Sequence, residues 1–189
     1  MKNSVATQRG TASIEFALVC LVFLPFLFAV FESARLMFLW NTLPQVTRRA
    51  ARAAAITDFS DAAAMQALRQ AALFRSAGGS LPLAPNVGST NIRIEYLWQD
   101  SSGQLDVLPV LPACPVANRI NCTRDRYGPT CISFVRVRIC GDGPGCPALA
   151  LEPMMPAPLG SLTPSTLPPA VTLVTAESLG YVPGQAPCP

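Results

Sequence analysis

The sequence predicts an α+β chain, with a long N-terminal transmembrane helix followed by a small disulfide-stapled domain. Three observations carry this. Sixteen consecutive residues, Phe16 to Phe31, hold no charge. Six of the seven cysteines lie in the C-terminal half. Short segments of alternating apolar and polar residues appear only after residue 90. The domain is expected to hold a short helix and an antiparallel sheet.

The leader, residues 1–10, carries Lys2 and Arg9. Positive charge ahead of an apolar run sets the N-terminus in the cytoplasm and the chain beyond the run outside. Arg48, Arg49 and Arg52 on the far side oppose this orientation from further off. The run exceeds the h-region of about 7–15 residues of a removable signal. Glu32 and Arg35 occupy the zone where a small-residue cleavage site would stand, so the segment is expected to be kept. A helix from about Ser13 to Trp40 would measure about 42 Å. That is more than a hydrocarbon core of about 30 Å. Glu32 and Arg35, three apart, can pair on one face. Pro25 sits mid-span and is expected to bend the helix.

Residues 41–56 read as further helix, with Val46, Ala50, Ala53 and Ala54 on one face. Ser60 reads as the cap of a second helix, about Asp61 to Ala77, stopped by Gly78-Gly79. Residues 80–90 read as a loop. The alternation in "NIRIEYLW" puts Ile92, Ile94 and Tyr96 on one face of a strand and Arg93 and Glu95 on the other. "QDSSGQ" is a turn and "LDVLPV" a returning strand. "CISFVRVRIC" is the clearest strand, with Arg136 and Arg138 on its solvated face. Residues 153–169 are Pro-rich and expected as extended surface loop. Residues 170–177 read as a last strand.

Composition narrows the chemistry. The chain of 189 residues is 50% apolar and 13% charged, with a formal net charge of +3. That charge is too small to indicate nucleic acid as a partner. There is no histidine, so the usual general base and the commonest metal ligand are missing. No catalytic motif, no catalytic residue and no cofactor signature stands out, and an enzyme is the weakest of the functional classes. Cys114, Cys122, Cys131, Cys140, Cys146 and Cys188 are even in number on one side of the apolar run. They read as up to three disulfides in an oxidising compartment, with 15 pairings open. Zinc would want closer pairs or histidine, and no metal site is expected. Cys20 reads as a small apolar residue of the run.

One motif remains. Gly10, four residues, then Glu15 and Phe16 stand directly ahead of the apolar run. The run gives way to Asn41 and the "RRAARAAA" stretch. This resembles the prepilin processing site of type IV-like pilins, and more narrowly the TadE-like family of the tight-adherence (Tad, or Flp) pilus system. Thr11 departs from the large apolar residue of main type IV pilins, which favours the Tad branch. The resemblance implies a cut between Gly10 and Thr11 by a membrane prepilin peptidase at the cytoplasmic face. It implies a minor pilin or pilin-like assembly component, partnered by other pilins and by platform proteins in the inner membrane. The expected organisation is then a leader over 1–10, a transmembrane and assembly helix over 11–57, and a periplasmic or extracellular domain over 58–189. Glu15, with Phe16 beside it, would key helix docking, because a carboxylate in lipid is costly unless paired and a neighbouring subunit's new amine can pair it. The alternative is a permanently anchored single-pass periplasmic protein with a disulfide-rich ligand-binding domain.

Overall fold

The computed structural model describes residues 9–76, 78–153, 166–184, 186 and 188, with side chains from Thr11 onward. The chain divides into two compact units, Met1–Phe38 with Pro153–Pro164, and Leu39–Glu152 with Ser165–Pro189.

In the first unit the described chain is almost entirely helix. Helix α1 covers Arg9–Ala54 and so starts earlier than the sequence suggests. Nothing between Arg9 and Ser13 opposes a helix except Gly10, whose cost falls in a first turn that lacks intrahelical N–H bonds in any case. The helix runs unbroken through Pro25 and Pro44. Its apolar residues from Ile14 to Phe31 are largely exposed, Phe16 at 71%. Two charged residues, Glu32 and Arg35, are buried, and Arg35 Nη1 donates to Glu32 Oε1 at 2.9 Å. This is the pair that their spacing predicts.

The second unit holds the core. Its share of α1 buries Leu39, Leu43, Val46, Thr47, Ala50, Ala51 and Ala54. The alanines let the backbone of a partner approach closely, while Leu39, Leu43 and Val46 each contribute about 1.5–3 kcal/mol of burial. A four-stranded antiparallel sheet has the order β4-β3-β5-β6, with β3 Ile92–Gln99, β4 Leu105–Val107, β5 Phe134–Ile139 and β6 Val171–Thr175. The register pairs Ile94 with Val137, Tyr96 with Val135, and Val135 with Val174. Ile92, Tyr96, Val135 and Val137 are buried, as their alternation predicts. Thr172, on that same face, shares a 2.8 Å hydrogen bond with Thr47 of α1, so the buried Thr47 hydroxyl is satisfied by the sheet. The far face carries Glu95 between Arg136 and Arg138. Arg136 Nε donates to Glu95 at 2.7 Å, and Arg138 Nη2 donates to its other oxygen.

Several expectations are corrected. Helix α2 is Ala62–Ala72, shorter than 61–77, and its cap is Asp61, which accepts from Ala63 N and Ala64 N at 2.9 and 3.0 Å. Ser60 instead donates to Asp58 Oδ1. The helix ends early because the chain turns through a positive φ of 60° at Phe74, where Arg49 stacks 4.5 Å from the ring. The expected loop over residues 80–90 is a hairpin, β1 Ser80–Leu81 and β2 Ala84–Gly88. Leu81, Ala84 and Val87 are buried and anchor it, at a spacing that imitates neither strand nor loop. Helix α3, Pro115–Arg124, is an element that no sequence pattern predicts. Pro115 at its start fits a helix N-terminus, and Asn118 ties it to the segment that leads into β5 by accepting from Ile132 N at 2.8 Å. The return strand stops at Val107 before Pro109, which cannot donate to a ladder. Of the Pro-rich segment, residues 154–165 lie outside the described residues, and Thr166 makes an isolated antiparallel bridge with Ala150.

The end of the chain returns to α1. Ala55 O accepts from Glu177 N at 3.2 Å and from Leu179 N at 3.0 Å. Gly180 has φ +84°, and a Cβ there would fall 2.5 Å from Asp58 N. Only glycine fits that approach.

Candidate functional site

The motif that singles out residues 10–16 lies in the first two turns of α1. Gly10 and Thr11 fall in the opening turn. The first four N–H groups of a helix have no partner within it, so the opening turn is the part of α1 that unwinds at least cost. Glu15 lies beyond that turn, and the first turn of α1 has no acidic residue. The helix dipole thus gives Glu15 little support, since that effect decays within the first turn. Thr11 and Glu15 are one turn apart, about 6 Å along the axis, and stand on the same side of the helix. Glu15 is exposed, as are Ile14 and Phe16 at 63% and 71%.

Beyond Glu15 the helix offers only apolar contact until Glu32. The stretch Thr11–Ala54 contains an 18-residue window with a mean hydropathy of 2.6, none of it buried. It is long and apolar enough to cross a membrane.

Residues 10–52 match the model of the family described as TadE-like protein. The N-terminal helix is TadE-like. The match begins at Gly10 and ends inside α1, so the TadE-like segment is the helix itself, and the sheet domain lies outside it. The likeness to the TadE-like family thus rests on an apolar helix that is long enough to span a membrane. Neither the curated proteins nor the solved structures give a match.

All six C-terminal cysteines are paired, as Cys114–Cys188, Cys122–Cys131 and Cys140–Cys146. Engaged in this way, they are not zinc ligands. Among the described residues no cluster of three or more His, Cys, Asp or Glu side chains is placed to hold a metal. Cys20 is the free thiol, half-buried on α1. The two local disulfides join near neighbours in sequence, whereas Cys114–Cys188 closes 74 residues. That long pairing depends on the returning C-terminus, which no local pattern reveals.

Proposed function

We propose that this protein is a minor pilin-like assembly component of a Tad pilus, cut by a prepilin peptidase between Gly10 and Thr11. The observation that supports it best is Gly10 five positions before Glu15, within a TadE-like match, at the head of an exposed apolar helix. Cleavage removes Lys2 and Arg9 and leaves an α-amino group on Thr11. In the assembled helices Glu15 pairs with that amine on a neighbouring subunit, which offsets the cost of a carboxylate in lipid and fixes the register of docking. The sheet domain then faces the periplasm or the pilus exterior, where disulfides form and persist. The chain carries no chemistry of its own. Its partners are other pilins, platform proteins and the peptidase.

Glu15→Gln tests the docking role. It keeps size and helix propensity and removes the charge. The variant should stay in the membrane fraction and vanish from pili sheared off the host surface. Equal recovery of Glu15→Gln and wild type in sheared pili would contradict the docking role, and absence of both from sheared pili would favour a permanently anchored domain instead.

A further inference from the structure

The second unit contains a cleft of about 430 Å³ between α3 and the ends of β5 and β6. That volume falls within the range of about 300–1,000 Å³ typical of ligand sites. Two guanidinium groups, Arg119 and Arg126, line it against one carboxylate, Glu177. Arg119 lies 4.6 Å from the centroid of the Tyr181 ring, which holds the guanidinium plane while leaving its N–H edges for a ligand. Among the described residues neither Arg119 nor Arg126 forms an ion pair with a carboxylate. Asp125, next to Arg126, instead accepts from Tyr127 N at 3.0 Å. Tyr127 is 52% exposed and presents a ring at the same cleft, with the amide of Gln99 on its wall.

The walls are pre-set. The Cys122–Cys131 disulfide joins α3 to the segment before β5, and Asn121 Nδ2 donates to Thr130 O at 3.1 Å across the same junction. Pre-organised walls lower the ordering cost of binding. Lining hydroxyls and amides suit a hydroxyl-rich ligand and disfavour an acyl chain. Exposed tyrosine suits the flat face of a sugar ring, and Arg119 and Arg126, without an ion pair among the described residues, suit carboxylates, which they can grip in bidentate fashion.

We propose that this cleft binds an acidic saccharide, a sugar chain bearing carboxylates. The test uses the full chain in lipid nanodiscs and a galacturonate tetrasaccharide, with calorimetry at low salt. Its fully methyl-esterified form, equal in sugar content and neutral, is the comparison. The acid should bind about tenfold or more tightly than the ester. Arg119→Gln and Arg126→Gln should each weaken the acid about tenfold. Arg93→Gln, an exposed arginine that does not line the cleft, should leave it unchanged. Arg126 is exposed at the surface, so its variant separates loss of binding from loss of folding. Equal binding of acid and ester, no binding of the acid at millimolar concentration, or wild-type affinity in both cleft variants would overturn the proposal.

Discussion

Single side chains in the sheet domain make its stability depend on pH in two separate windows. Burial pushes the Glu95 carboxyl up, but hydrogen bonds from Arg138 and Arg136 and their charges outweigh it, and its pKa lies below the ordinary carboxylate value. A lowered folded pKa gives stability that is present at neutral pH and is lost as pH falls through the folded value. Glu95→Gln should therefore destabilise the protein by about 1 kcal/mol at pH 7. In urea titrations that difference should shrink in acid, below the usual carboxylate range. A constant difference from neutral to acid pH would contradict it. Tyr96 behaves in the opposite sense. Burial raises its hydroxyl to about 12, with Arg69 pulling it back and Asp58 adding slightly. A raised folded pKa gives stability that is complete below the unfolded value and is lost as pH climbs through the folded one. Unfolding should thus steepen between about pH 10 and 12. Tyr96→Phe, which keeps the ring contact with Phe59 at 5.5 Å, should remove that steepening. These partners are half legible in the sequence: the alternation in β3 and β5 places Glu95 and the arginines on one face, but only the register sets Glu95 opposite Arg136.

At the scale of elements, α1 joins two chemistries in one helix. Its apolar residues from Ile14 to Phe31 are largely exposed, while Leu39, Leu43 and Val46 pack in the sheet domain. Leu43→Ala should cost about 2–5 kcal/mol, because it leaves a cavity in a site fully buried by the fold. Met37→Ala, on an exposed position of the same helix, should cost far less in the same denaturation assay. The long helix is legible because its apolar run is unbroken, and the β3 and β5 strands because their residues alternate. The β1–β2 hairpin and α3 are not. The hairpin is only a few residues on each side and contains Pro82 and Pro85. Helix α3 is polar and is held by Asn118 and a disulfide rather than by an apolar face. Long-range contacts decide such elements, and no window of sequence contains them. The motif at Gly10 to Phe16 is legible for the opposite reason: its residues are close neighbours in the chain.

Across the whole molecule, the disulfides should differ in worth. In the chain-entropy account, closing 74 residues between Cys114 and Cys188 stabilises by about 4.5 kcal/mol. The Cys140–Cys146 loop of 6 residues gives about 2 kcal/mol. The Cys114→Ser, Cys188→Ser double variant should therefore melt lower than the Cys140→Ser, Cys146→Ser one. The reverse order would show that native contacts, not loop closure, set their value. The central claim is that the TadE-like helix is a processed assembly helix, retained after loss of its basic leader. The most direct measurement is the intact mass and N-terminal sequence of the protein recovered from its own host's membranes. The account predicts a chain that starts at Thr11 and keeps Glu15 and the whole apolar run. A chain that still carries residues 1–10, or one that starts beyond Ser33, would contradict it.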